Sequence, residues 1–160
     1  VATWTTQDRD GSGSGVYGQR YSLLGDKVGS DFRVNTYTTG NQFESSVAAL
    51  SDGGWVATWT SLDSQDGSGA GIYGQRYSAA GVQFGGEFQI NTYTGSWQEQ
   101  PSASALPDGG WVVTWTSGEQ DGVSHCDTQE GFAGLGEPDS ERRCQYVQLP
   151  EPRESPFFRC

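Results

Sequence analysis

Apolar and polar residues alternate from Trp55 to Thr60, with Trp55, Ala57 and Trp59 on one side and Val56, Thr58 and Thr60 on the other. Successive strand side chains point to opposite faces, so this period of two, rich in β-branched and aromatic residues, predicts a β-strand. The preceding apolar run, Ser46 to Leu50, is separated from it by Ser51-Asp-Gly-Gly54, the composition of a tight hairpin turn. Beyond it the pattern predicts a strand over Ile72 to Tyr77, a turn at Ala79-Ala-Gly81 and an outer strand over Phe84 to Ile90. The same order runs upstream: strands Val1 to Thr6, Val16 to Tyr21 and Lys27 to Val34, a polar loop from Gln7 to Gly15, and a connecting loop from Thr39 to Glu44. No capped segment of helical period occurs in the first 117 residues.

The agreement extends to residue identity. Val-Ala-Thr-Trp stands at 1–4 and 56–59, Val-Val-Thr-Trp at 112–115, Tyr-Gly-Gln-Arg-Tyr at 17–21 and 73–77, and Asn-Thr-Tyr-Thr at 35–38 and 91–94. The period is 55 or 56 residues, which marks a repeat protein. Residues 1–55 form a first unit entered partway, 56–111 a second, and 112–122 the start of a third. About four short strands per unit predict an all-β fold of tandem, four-stranded antiparallel units resembling propeller blades, with a β-sandwich as the alternative. A propeller ring typically takes about four to eight blades, so open sheet edges are expected to pair with other repeats or with copies of the chain.

Composition changes the picture at one place. Residues 123–160 hold all three cysteines, the single histidine (His125), four of the six prolines, and Arg142, Arg143, Arg153 and Arg159. Two accounts of this aberrant tail stay open. One is a shift of reading frame, since one choice of codons for Gln145 to Gln148 would read one base later as Asn-Thr-Tyr-Asn; the other is a divergent, disordered or capping segment. Cys126, Cys144 and Cys160 lack zinc spacing, and their odd number leaves one unpaired. Elsewhere the chain is acidic, with net charge −11 and the single lysine Lys27, which disfavours nucleic acid and anionic membranes as partners. No apolar run reaches the roughly 18 residues of a membrane span.

An acidic surface suits divalent cations. The loops Asp8-Arg-Asp10-Gly-Ser-Gly13 and Asp63-Ser-Gln-Asp66-Gly-Ser-Gly69 join carboxylates to glycine turns, making Asp8, Asp10, Asp63 and Asp66 candidate Ca²⁺ ligands. The plainer alternative is a solvated turn in which Asp, Ser and Gly satisfy loop geometry. Asp-Gly-Gly-Trp at 52–55 and 108–111 reads as hairpin chemistry, and Arg20 and Arg76 as structural partners of a carboxylate such as Asp52 or Asp108, or of a carbonyl. Aromatic faces beside polar groups can hold sugar rings, so Trp59, Tyr73 and Trp97 are candidate carbohydrate contacts. At alternating strand positions the commoner role is core packing. Trp97 differs, lying in the polar stretch Gly95-Ser-Trp-Gln-Glu where the first unit has Phe43. No catalytic histidine constellation can be built in the repeats, and nothing singles out Glu44, Glu87 or Glu99, so a non-enzymatic chain is expected.

The joint pattern Asp-Gly-Gly-Trp-Val-Val-Thr-Trp, Gln-Asp-Gly-Ser-Gly, Ile-Tyr-Gly-Gln-Arg-Tyr and Glu-Phe-Gln-Ile-Asn-Thr-Tyr-Thr resembles tandem repeats of very large secreted bacterial proteins that often carry hemolysin-type (RTX) calcium-binding nonapeptides. The resemblance covers residues 1 to about 122. It implies an extracellular or cell-surface setting and an adhesive or scaffolding role, and supplies no catalytic residues. Gly-Gly-x-Gly-x-Asp nonapeptides are missing here, so calcium binding of that type is not implied. The expectations are therefore a structural or adhesion repeat stabilised by calcium, then a lectin-like carbohydrate-binding module, then a propeller-type hydrolase.

Overall fold

The computed structural model describes residues 1–9, 11–63 and 65–118, together with the backbone of 145–148. Ten strands are described: β1 (Ala2–Gln7), β2 (Ser14–Tyr21), β3 (Lys27–Arg33), β4 (Gln42–Ala49), β5 (Trp55–Ser61), β6 (Gly71–Tyr77), β7 (Gln83–Gln89), β8 (Gln98–Ala105), β9 (Trp111–Ser117) and β10 (Gln145–Gln148). They form three antiparallel sheets: β1-β2-β3, β4-β5-β6-β7 and β10-β9-β8. The fold is all-β, and the second sheet is a complete four-stranded meander of the propeller-blade kind. A repeat has no intrinsic starting point, and the second sheet runs from 42 to 89, across the 55/56 division of the sequence units.

β4 starts at Gln42, inside the stretch expected to be a connecting loop. The expectation failed because the register shifts between Phe43 and Ser46, with Glu44 at φ 52°. This extra bulge residue breaks the alternation by which a strand is recognised. The shift recurs in β8, where Gln100 has φ 59°. β10 pairs with β9 as β6 pairs with β5, Tyr146 facing Trp115 as Tyr73 faces Trp59. The frame-shift account instead aligns these residues with the segment after the outer strand. Cys126, Cys144, Cys160 and His125 lie outside the described residues.

The two faces of β5 explain the packing. Trp55, Ala57 and Trp59, with Tyr73 and Tyr77 from β6, lie against Val16, Phe32 and Val34 of the first sheet and the segment after it. Trp55 stacks on Tyr77 at 3.8 Å between ring centroids, and Phe32 meets both rings at 5.8 Å in tilted geometry. On the opposite side, Ile72, Phe88 and Ile90 pack on Trp111, Val113 and Trp115 of the third sheet. These residues match the first interface position for position at a spacing of 56. The sheets thus join head to tail, each setting an aliphatic-and-Phe face on the aromatic face of the next, and β5 is buried throughout.

The repeated motifs tie this arrangement together. Asn35 and Asn91 are buried, and each accepts from the amide of a residue near the start of the neighbouring strand, Val16 or Ile72, at 2.8 Å, while donating to the carbonyl of Tyr37 or Tyr93. Gln19 and Gln75 sit on register shifts of β2 and β6 and donate to carbonyls there. Gly74 lets the strands pack closely, since a Cβ there would lie 3.1 Å from the Phe88 ring and from Ile90 and would press on both. In the hairpin turn Gly53 has φ 79°, and Gly54 N–H donates to Asp52 at 2.9 Å, as Gly110 does to Asp108.

Candidate functional site

The outer face of the first sheet carries a groove of about 330 Å³ lined by Trp4 of β1, Gln19 and Tyr21 of β2, and Lys27, Ser30 and Asp31 of β3. Period-two alternation puts Trp4, Gln19 and Tyr21 on one side, the side that bears Trp59, Gln75 and Tyr77 in the second sheet. There the equivalent surface is covered by the first sheet. Here it is open, and the difference is large: Tyr21 is 43 % exposed and Tyr77 is 2 % exposed.

One end of the groove is closed by charge. Arg9 lies 2.5 Å from Asp31 and 4.3 Å from the centroid of the Tyr17 ring, which it shields. The Arg9 hydrogen bond holds the Asp31 carboxyl below the usual carboxylate range. In the second sheet the same position holds Gln65, whose side-chain amide donates to Glu87 at 2.6 Å. The other oxygen of Glu87 accepts from the Thr36 amide at 2.6 Å, the Thr36 hydroxyl at 2.8 Å and the Tyr37 amide at 3.3 Å, clipping the second sheet to the loop that leaves the first. Tyr73 lies near this cluster, and its hydroxyl pKa is pushed up to about 12, by burial first and then by the charges of Asp66 and Glu87.

The sequence candidates scatter over the molecule. Trp59 is wholly buried and Tyr73 nearly so, both within the layer between the first two sheets. A ring closed in on both faces cannot stack on a sugar, so these two are corrected from binding residues to core. Trp97 is 45 % exposed. Strand pairing places it at the position of Asn41, two residues before that of Phe43, because Glu99 faces Thr116 as Phe43 faces Thr60.

Two of the candidate calcium ligands accept from backbone amides. Asp63 accepts from the Asn41 amide at 3.2 Å, and Asp66 accepts from the Ser68 amide at 3.0 Å in its own turn. Asp8 adopts φ 56°, its amide donating to the Gly13 carbonyl at 2.6 Å, and Asp10 lies outside the described residues. Among the described residues no three metal-ligating side chains gather. Arg76 meets Asp52 at 2.6 Å, and Arg20 donates to the carbonyls of Ala80 and Ala79 at 2.5 and 2.8 Å, fastening the first sheet to a turn of the second. The groove was not found by sequence reading. Its signal was present in the repeat, since Trp4 and Tyr21 match two core residues but have no sheet described on their far side.

No family model and no curated protein matches the chain. Among solved structures, an endo-arabinase from Bacteroides thetaiotaomicron aligns with 97% of this chain and 52% of its own length, at 13% identity and a TM-score of 0.47. The chain spans about half the length of that structure. The expectation of a non-enzymatic chain is withdrawn. That expectation leaned on the lack of a repeated catalytic constellation, whereas a single site made once between sheets leaves no repeat. At this similarity the match assigns neither a substrate nor a residue. Among the described residues no helix is long and apolar enough to cross a membrane.

Proposed function

We propose that the chain is a structural repeat module of a large secreted bacterial protein, with a scaffolding or adhesive role outside the cell. The observation that carries this reading is the double occurrence of one inter-sheet interface, Val16/Phe32/Val34 on Trp55/Trp59 and then Ile72/Phe88/Ile90 on Trp111/Trp115. The motifs that define the repeat, Asn-Thr-Tyr, Gly-Gln-Arg-Tyr and Asp-Gly-Gly-Trp, spend their polar groups on holding strands and sheets. Such a stack holds loop-bearing edges at fixed spacing, and its stability is a sum of unit and neighbour terms. Unfolding followed by tryptophan fluorescence and by far-ultraviolet circular dichroism tests it. Coincident transitions support one mechanical unit; separate melting of the first sheet overturns it. For location, added protease should reach the protein on intact producing cells, and full protection contradicts an extracellular role.

A second reading is a carbohydrate-binding module. It is favoured by the groove, where Trp4 and Tyr21 give aromatic walls beside Gln19, Ser30 and Lys27, a chemistry suited to a neutral polyhydroxylated ligand. A glycan array read with tryptophan fluorescence tests it, a sugar-dependent change lost in Trp4→Ala supporting the groove as the site.

A further inference from the structure

We propose that the turn between β2 and β3 is a shallow anchor for a lipid surface with uncharged headgroups, its two leucines entering the acyl layer. The inference goes beyond the structural-module reading and does not depend on it.

The two copies of this turn serve as each other's control. Ser22-Leu-Leu-Gly25 joins β2 to β3 and Ser78-Ala-Ala-Gly81 joins β6 to β7, with the same hydrogen bonds. The glycine amide donates to the serine carbonyl at 3.0 Å in the first and 2.8 Å in the second. The serine amide donates to the carbonyl of Asp26 at 2.7 Å or of Val82 at 2.8 Å. Each serine hydroxyl accepts from the amide four residues on, at 3.1 Å and 3.2 Å. Alanine therefore suffices for the turn, and nothing in the fold calls for leucine at 23 and 24. Leu23 is fully exposed and Leu24 is 88 % exposed. This exposure does not come from an uncovered sheet. Ala79 and Ala80 hold the same positions on the covered second sheet, where Arg20 binds their carbonyls, and both stay exposed.

The size and bonding of the tip select a lipid layer over a protein partner. A buried leucine removes roughly 100 Å² of apolar surface from water. The pair thus supplies about a quarter of the ~800 Å² that each side of a stable protein interface covers. An acyl layer needs no matching pocket, but a segment entering it must satisfy its own backbone. The amides of Ser22, Leu24, Gly25 and Asp26 all donate within the turn. The tip is closed before it meets any partner, so insertion costs little ordering. Charge then decides the headgroup. At net charge −11 the chain is repelled by anionic lipid, and Lys27 beside the tip is its single lysine. Uncharged headgroups leave the apolar contact unopposed.

The test is flotation of the full chain with phosphatidylcholine vesicles at millimolar lipid, beside the double variant Leu23→Ala/Leu24→Ala. That variant reproduces the second turn and is expected to keep the fold, which its dichroism checks. The wild type is expected to float with the vesicles, and the double variant to partition at least tenfold less, each side chain having lost three carbons. Vesicles of phosphatidylglycerol are expected to bind less at low ionic strength and to recover as salt screens the repulsion. A wild type that stays in the lipid-free fraction overturns the proposal, as does equal partition of the wild type and the double variant. Stronger binding to phosphatidylglycerol than to phosphatidylcholine overturns the choice of headgroup. Light scattering without lipid covers the other occupant: self-association of the wild type that is lost in the double variant assigns the leucines to a contact between copies and overturns the lipid anchor.

Discussion

Strands β1 and β2 of the first sheet carry nearly the same residues as β5 and β6 of the second, in the same register, yet Trp4 and Tyr21 lie in other surroundings than Trp59 and Tyr77. Trp59 is wholly buried while Trp4 lines an open groove; Tyr77 stacks on Trp55 and bonds the neighbouring backbone while Tyr21 faces solvent. Glu87 clips its sheet to a loop of the first, whereas Asp31, one carbon shorter, is held by Arg9. Identity of sequence thus fixes the strand and its register, and the neighbour decides whether a residue is core or surface. Beside the pair 31/87, the two sheets differ chemically at position 9/65, an arginine over Tyr17 in one and a glutamine bound to Glu87 in the other.

The widest gap is expected from truncating the two tryptophans. Trp59→Ala should cost about 3–5 kcal/mol, the range for emptying a buried aromatic site; Trp4→Ala, already partly hydrated, should cost about 1–2 kcal/mol by area. Denaturant midpoints of the two variants measure this, and equal losses would erase the distinction between the sheets. Removing the clip with Glu87→Gln should cost about 1 kcal/mol, discounted for its partial exposure. Tyr77→Phe should lose about 1 kcal/mol and Tyr21→Phe almost nothing, since only the first hydroxyl has a buried acceptor.

Alkali offers a narrower test. A tyrosine whose folded pKa is raised above the ordinary 10 contributes stability that is complete below pH 10 and is lost as pH climbs toward 12, because the unfolded chain ionises first. Melting temperature should therefore fall between pH 10 and about 12, less steeply in Tyr73→Phe; an identical slope in that variant argues against the effect of burial and of Asp66 and Glu87 on Tyr73. A smaller effect than that of Glu87→Gln is expected for Asp63→Ala, about 0.5 kcal/mol for the lost bond of an exposed carboxylate to the Asn41 amide. The loss should be equal in calcium and in excess chelator if Asp63 acts as a loop anchor, and confined to calcium if it is a ligand.

Strands, hairpin turns and the repeat were legible because period-two alternation and Asp-Gly-Gly turns are local signals. The bulges at Glu44 and Gln100 were not, since an extra residue inverts the alternation and mimics a loop. Trp97 stands 56 residues after Asn41, so the repeat spacing already carried that match, and the strand register makes it visible. Trp59 and Tyr73 could be read either as core or as sugar contacts, because covering depends on a sheet more than ten residues away in sequence. The Asp-rich loops have the composition of a metal site, and only coordinates show Asp63 and Asp66 aimed at separate backbone amides.

Native-state hydrogen exchange measures most directly the claim that the second sheet is the covered centre of a head-to-tail stack. The account predicts that amides of β5 and β6 exchange only through global unfolding, and that those of β1, on the open sheet, exchange through smaller openings. Uniform protection across β1, β5 and β6, or faster exchange in β5, would contradict it.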